Sequence, residues 1–185
     1  MTINDFDDRL TPLVEDSEWA EKILDKEDNQ FTRRAYIRSL FSMIEGSIWV
    51  FKQTLLHTGI HEGHLKNLSI AEYALLSEIT YDLKSNGRPK EQTKYLKLPE
   101  NIRFTFDAIG KYFKIDFDLG VDNSGWNNFL EAQKIRNRIT HPKSLESFTI
   151  SDDELEICKN TNSWYLELLL AFYKGIASNS KSEHA

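Results

Sequence analysis

The chain has 185 residues, 40% of them hydrophobic and 28% charged, with one cysteine and a formal net charge of −6. This composition is that of a folded protein, and the length favours one domain over two. The lone Cys158 excludes an intramolecular disulfide, and the negative total argues against indiscriminate binding to a polyanion. The sequence shows neither a leader-like start nor an apolar run of membrane length, so we expect a cytoplasmic protein with no membrane contact.

The charges are unevenly distributed along the chain. Residues 1–30 hold ten acids and three bases, residues 31–143 hold seventeen bases and twelve acids, and the remainder has a net charge of −4. The middle of the chain is therefore basic and both ends are acidic. Any contact with a nucleic acid would have to come from this basic middle.

Helical periodicity dominates the first part of the chain. Residues 1–15 are predicted to be a loose acidic segment, and residues 17–26 a short helix. From Phe31 to His57, one apolar stripe follows a long amphipathic helix, with its members at steps of three and four: Ile37, Leu40, Phe41, Ile44, Ile48, Phe51 and Leu55.

The sequence HTGIHEGH follows this helix and contains His57, His61 and His64. Their spacing is one that a metal site can use. Gly59 and Gly63 interrupt helical order, however, and no cysteine or second cluster of ligands accompanies the histidines. We therefore favour a loop that ends the helix, and we expect no metal and no other cofactor.

Ser69 and Glu72 have the spacing of a capping box, which predicts a helix from there through Leu83 that closes at SNGRP. Residues 84–98 are predicted to be a loop. This loop contains one acid, Glu91, and five bases: Lys84, Arg88, Lys90, Lys94 and Lys97. Such a segment is either an arm that follows a phosphate backbone or a solvated connection, and we favour the solvated connection.

Three more helices complete the prediction. Pro99 is placed to begin one helix, a short extended connection follows at FKIDFDLG, and a second helix runs from Gly125 to Thr140, before Pro142. Ser151 and Glu154 form another capping box, and the last helix has one predicted buried face: Tyr165, Leu168, Leu169, Phe172 and Ile176. The sequence thus predicts an all-α fold, an up-down bundle of about five to six helices over residues 16–178, with a disordered tail at residues 179–185.

The helix that ends before Pro142 changes character along one face. Trp126 and Phe129 begin an apolar line, and polar residues continue it at steps of three, one, three and one: Gln133, Arg136, Asn137, Thr140 and His141. If this face is buried or meets a partner, the enclosed guanidinium of Arg136 costs several kcal/mol unless an acid or an anionic ligand pairs with it.

The sequence RNRITH, followed by proline, resembles the Arg-polar-xxx-His motif of the HEPN superfamily of all-α proteins. The resemblance implies a HEPN-like fold and a metal-independent endoribonuclease, often a toxin or a phage-defence component. It also implies a homodimer in which both motifs line one cleft. Arg136 and His141 would be the catalytic pair, Asn137 the polar second position, and Glu45 an acid near the motif arginine.

The chemistry of RNA cleavage suits these residue types. A histidine exchanges protons near neutral pH, and an arginine can hold two phosphate oxygens at once. We expect His141 to act as base or acid and Arg136 to clamp the phosphorane, giving a 2′,3′-cyclic phosphate. The RNA backbone would be contacted by bases around the motif: Lys134, Arg138 and Lys143.

Other interpretations remain open from the residues alone. Arg136, Arg138 and His141 also suit a helix C-terminus, where cations complement the helix dipole. Glu45 can equally pair with Arg38 and have no other role. The polar face also suits a non-catalytic module that dimerises, binds a nucleotide or partners a nucleotidyltransferase acting as antitoxin. A structural bundle without a ligand is the third interpretation.

Overall fold

The computed structural model describes residues 3–61 and 68–182, with side chains for residues 8–57 and 68–175. The described part is mostly helical, as predicted, and adds one two-stranded sheet. In chain order its elements are α1 (Ile3–Lys26), α2 (Gln30–His61), α3 (Ile70–Leu76), β1 (Ile79–Leu83), β2 (Pro89–Thr93), α4 (Leu98–Phe113), α5 (Ser124–Thr140), a 3-10 turn (Glu146–Phe148) and α6 (Asp152–Ser182).

Helix α2 is the spine of the fold. All seven residues of its predicted apolar stripe are buried, and α1, α3, α4, α5 and α6 each contact it. The helix begins after Asn29, whose side-chain oxygen accepts hydrogen bonds from the backbone amides of Phe31 (2.9 Å) and Thr32 (3.1 Å). This is an N-cap, which satisfies donors that the first helical turn leaves open.

Helix α1 differs from the prediction. Residues 3–15 are helical rather than loose, so the predicted short helix at residues 17–26 is only its C-terminal part. Residues 3–15 are helical because this acidic segment also contains a row of apolar side chains that can pack on the core. Leu10, Leu13 and Val14, at steps of three and one, pack against the core from α1.

A β-hairpin replaces the predicted end of one helix and the start of the predicted loop. The Ser69 capping box is present, but α3 ends at Leu76, and Glu78 has a left-handed backbone (φ 52) that turns the chain into β1. β1 pairs antiparallel with β2, and Gly87 (φ 73) helps to close the turn. Because β1 is rich in β-branched and aromatic residues, its local preference favours a strand once the helix has ended.

The C-terminal half follows the prediction more closely. α5 spans Ser124–Thr140, and the Ser151 capping box is formed, with Glu154 N donating to Ser151 Oγ at 3.2 Å. α5 packs on α6 where Gly125 meets Trp164, since a Cβ at Gly125 would lie 2.1 Å from Trp164 Cδ1. α6 continues to Ser182, so residues 179–182 are helical, while residues 183–185 lie outside the described part.

The predicted buried face of α6 is confirmed for Tyr165, Leu168, Leu169 and Phe172. The side chain of Ile176 lies outside the described residues. In the described ranges, no helix combines the length and the apolar character that crossing a membrane requires.

A buried lysine joins the hairpin to the spine. The side chain of Lys52, on α2, is 0% exposed, and its Nζ donates to Glu78 Oε1 (2.9 Å) and to Leu75 O (3.3 Å). Burial lowers the pKa of Lys52 below its ordinary value of 10.5, and the hydrogen bond and charge of Glu78 oppose that shift. The ammonium therefore depends on one carboxylate at the root of the hairpin.

We expect the two partners of this pair to respond differently to substitution. Glu78→Gln leaves the buried ammonium without its anion and should lower the free energy of unfolding by about 1–3 kcal/mol, whereas Lys52→Met should be neutral or stabilising. Urea denaturation measures both. Glu131→Gln, which breaks an exposed pair with Lys134, is the control and should cost less than about 0.5 kcal/mol.

The same pair predicts a pH dependence. Because the folded-state pKa of Lys52 lies below the unfolded one, the unfolded chain binds more protons there, and wild-type stability should rise relative to Lys52→Met as the pH increases toward the ordinary lysine value of 10.5. A constant difference over this range, or a stabilising effect of Glu78→Gln, would contradict the account of Lys52.

Candidate functional site

Arg136 lies on the side of α5 that faces the spine and is paired with an acid. Its side chain is 26% exposed, and its Nη2 forms an ion pair with Oε1 of Glu45 on α2. Nη1 donates to Asn137 Oδ1 at 3.1 Å, and Cζ lies 5.7 Å from the centroid of the Phe41 ring. The enclosed guanidinium thus has the anion that its position demands.

Glu45 pairs with Arg136 and not with Arg38. Nη2 of Arg38 instead donates to Ile139 O at 3.3 Å, near the C-terminal end of α5. The acid and the motif arginine, ninety-one positions apart in sequence, therefore meet across the α2 and α5 packing. Glu45 is 43% exposed at its side chain, so this pair borders solvent.

His141 ends α5 and faces solvent. It has a non-helical backbone (φ −123, ψ 63), its amide donates to Asn137 O at 2.9 Å, and Pro142 follows it. In the described part of the chain the imidazole has no hydrogen-bond partner. Both ring nitrogens are therefore available for hydrogen bonds to a ligand at this helix end.

A surface cavity of about 550 Å³ lies beside His141. It is lined by Asn137, Arg138, His141, Lys143 and Ser147, a set with three basic side chains and no carboxylate. Arg136 is not among the lining residues and makes no hydrogen bond to His141 within the described residues. The two motif residues are linked through Asn137, which lines the cavity and accepts from the guanidinium.

The cavity wall is held by side chains from outside the motif. Gln30 bonds both backbone atoms of Ile150, through Nε2 to its carbonyl (2.9 Å) and through Oε1 to its amide (2.8 Å). Nη1 of Arg34 donates to Phe148 O at 2.9 Å. Ser147 Oγ, in the wall itself, accepts from the backbone amide of Lys143 at 3.3 Å. These contacts fix the segment that follows His141 against the start of α2.

The sequence did not single out Gln30 or Ser147. Gln30 lies 120 positions from its partner, and Ser147 lies in a segment without helical or strand periodicity. Of the side chains that hold the cavity wall, only Arg34 could have been suspected from the sequence, because it lies on the same edge of the α2 apolar stripe as Glu45.

The three predicted RNA contacts lie in different settings. Arg138 lines the cavity, but its Nη2 is engaged with Glu154 Oε2 (2.8 Å) and Thr149 O (2.9 Å), so it also ties α5 to the start of α6. Lys143 lines the cavity and is exposed. Lys134 does not line it, and its Nζ pairs with Glu131 at 2.6 Å.

The histidine group at the end of α2 is only partly described. His57 is exposed, whereas the side chain of His61 and the whole of His64 lie outside the described residues. Among the residues whose side chains are placed, no cluster of three or more His, Cys, Asp or Glu suits a metal ion.

Comparison with known proteins gives no match to a family model, to a curated protein or to a solved structure.

We expect Glu45 and Arg136 to be energetically coupled. In a double-mutant cycle of Glu45→Gln and Arg136→Gln, urea denaturation should give a coupling free energy of about 1 kcal/mol, because both groups are only partly screened by solvent. The control cycle on the exposed Lys111 and Asp107 pair should give less than about 0.5 kcal/mol. Equal coupling free energies in the two cycles would mean that the pair of Glu45 and Arg136 is no stronger than an ordinary exposed ion pair.

Proposed function

We propose that this chain is a metal-independent endoribonuclease of HEPN type that serves as a toxin or in phage defence. The observation that carries the proposal is the cavity at the end of α5, where His141 and Asn137 meet beside a guanidinium held by Glu45. Arg138 and Lys143 add positive charge to the same lining. Such a site suits a phosphodiester, whose charge needs cations and whose cleavage needs a group that moves protons.

In the proposed reaction, His141 takes the proton of the ribose 2′-OH. The 2′ oxygen then attacks the adjacent phosphorus, and the bond between phosphorus and the 5′ oxygen breaks. The products are a 2′,3′-cyclic phosphate and a 5′-hydroxyl, with the leaving oxygen protonated by a second acid. No metal is needed, because the protein supplies both the proton transfer and the charge that stabilises the phosphorane.

Arg136 and Asn137 would act together on the phosphate. A guanidinium has five N–H donors, and Glu45 and Asn137 each take one of them from Arg136, which leaves three. Because Asn137 Oδ1 accepts from Arg136, its amide NH₂ is directed away from that guanidinium and can donate to a phosphate oxygen. Glu45 is then a positioning residue that holds the guanidinium in place.

The proposal includes a homodimer in which two copies of the cavity share one cleft. Leu145, in the segment that borders the cavity, is 84% exposed, and an apolar side chain at such a place suits burial by a second copy. The second His141 would supply the acid that protonates the leaving oxygen. Lys143, which lines the cavity, and Lys134, which lies outside it, would contact the RNA backbone.

One observation favours a second candidate function. The charge of Arg136 is neutralised by Glu45, and its guanidinium does not line the cavity. This arrangement also suits a non-catalytic module in which the cavity binds a nucleotide or in which the polar face contacts a nucleotidyltransferase antitoxin. Such a module would keep Arg136 as a structural residue.

The direct test is cleavage of total tRNA and ribosomal RNA in the presence of EDTA. We expect wild-type protein to give fragments with 5′-hydroxyl ends, His141→Ala to lose at least about 100-fold in rate, and Arg136→Lys to lose at least about tenfold. Lys22→Gln, on the exposed surface of α1 and outside the proposed RNA contacts, is the control and should stay within about twofold.

Mixed subunits test the shared cleft in the same assay. When wild-type and His141→Ala chains are co-expressed, the rate should fall with the square of the wild-type fraction if each cleavage uses both imidazoles. A linear decline would exclude a second His141 as the acid. Absence of cleavage by wild-type protein on both RNA pools, together with saturable nucleotide binding, would replace the nuclease with the binding module.

A further inference from the structure

The hairpin of β1 and β2 segregates its side chains between two faces. Directly opposite residues of antiparallel strands share a face, and successive residues alternate. One face therefore holds three pairs of mostly apolar character: Ile79 with Thr93, Tyr81 with Glu91, and Leu83 with Pro89. The other face holds the polar pairs: Thr80 with Gln92, and Asp82 with Lys90.

Backbone hydrogen bonds extend this second face at both ends. Lys84 N donates to Arg88 O (2.9 Å), and Lys94 N donates to Glu78 O (2.7 Å), so the ladder gains one pair beyond each end of the strands. The four bases of the hairpin consequently share one face, here called the basic face: Lys84, Arg88, Lys90 and Lys94. All four are exposed.

The acids near the basic face offset only part of its charge. Asp82 Oδ2 accepts from Gln92 Nε2 at 2.8 Å, and Glu78 is engaged with the buried Lys52. Within the described ranges, none of the four bases forms an ion pair. The four cations thus share their face with the carboxylate of Asp82, while Glu91 lies on the opposite face.

The root of the hairpin lies on the same side of α2 as the candidate site. Lys52 anchors the hairpin through Glu78, and Glu45 holds Arg136. Lys52 and Glu45 are seven residues apart on α2, which corresponds to two turns, nearly the same helix face and a separation of about 10 Å along the axis. The cavity wall itself rests against Gln30 and Arg34, nearer the start of α2, so a strand that reaches both surfaces spans roughly 27–33 Å along the helix.

We infer that the basic face binds the sugar-phosphate backbone of RNA and guides the strand to the His141 cavity, an inference that rests on the proposed nuclease function. Phosphate contacts need cations and neutral donors, and between its bases this face presents Thr80 and Gln92. An acidic protein partner fits less well, because a protein interface requires an apolar core and this face has none.

The experiment measures binding of a short single-stranded RNA of mixed sequence at several salt concentrations. Every protein carries His141→Ala, so that no RNA is cut. Replacing Lys84, Arg88, Lys90 and Lys94 by Gln should reduce the slope of log affinity against log salt by about 2–3, since each phosphate contact contributes about 0.7. Affinity near 0.1 M salt should fall at least tenfold.

Three controls separate the basic face from general charge and from misfolding. Removing four exposed bases elsewhere should change the slope by less than about one: Lys22, Lys26, Arg103 and Lys174. Leu83→Gln, on the opposite face, should leave the slope unchanged. Replacing the three hairpin lysines by Arg keeps the charge and should keep the slope, which a loss of hairpin structure would not predict.

The inference is overturned if the four-Gln hairpin protein and its charge-matched control have the same slope, or if the parent protein shows no salt-dependent binding. The experiments distinguish failure of this inference from failure of the proposed nuclease function. RNA cleavage with an unchanged slope removes only the basic face as a guide, whereas a reduced slope without cleavage by His141-containing protein removes the nuclease and leaves an RNA-binding arm.

Discussion

The ion pair between Arg136 and Glu45 is the interaction on which the rest of the site depends. A guanidinium against Phe41 on the core side of α5 would be costly without an anion, and α2 supplies that anion at the matching position. The pair fixes the C-terminal end of α5 against α2 and orients Asn137, which lines the cavity with His141. The position of Asn137 in the cavity lining therefore depends on a charge that must be compensated.

Helix α2 forms two ion pairs with neighbouring elements, one through an acidic side chain and one through a basic side chain. At Glu45 it offers an acid to a base from α5, and two turns later, at Lys52, it offers a base to an acid at the root of the hairpin. Each pair joins the spine to an element that bears proposed RNA contacts. The start of α2 adds Gln30 and Arg34, which hold the segment after His141. One long helix thus contacts the cavity wall, the motif arginine and the root of the hairpin that carries the basic face.

The sequence predicts features that depend on residues within one or two helical turns, but it does not predict contacts between residues far apart in the chain. The α2 stripe, the two capping boxes and the bounds of α5 follow from periodicity and from side chains within one turn, so they were predicted. The hairpin was missed because two five-residue strands offer too few alternations to outweigh a helical pattern, and because Glu78 adopts a positive φ without being glycine. The polar break at Arg136 was visible, but its pairing with Glu45 came only from the resemblance, since the two residues belong to helices far apart in sequence.

The most direct test of the central claim is nuclear magnetic resonance of the 21.6 kDa chain during titration with a short DNA oligonucleotide, which offers phosphodiesters without the 2′-OH required for cleavage. The account predicts that three signals shift together with one saturation curve: the Arg136 guanidinium, the Asn137 side-chain amide and the His141 imidazole. Glu45→Gln should alter that curve, whereas Asp107→Asn, in the exposed pair with Lys111, should not. If the His141 signal shifts while those of Arg136 and Asn137 stay in place, the three groups do not form one phosphate site, and the account fails.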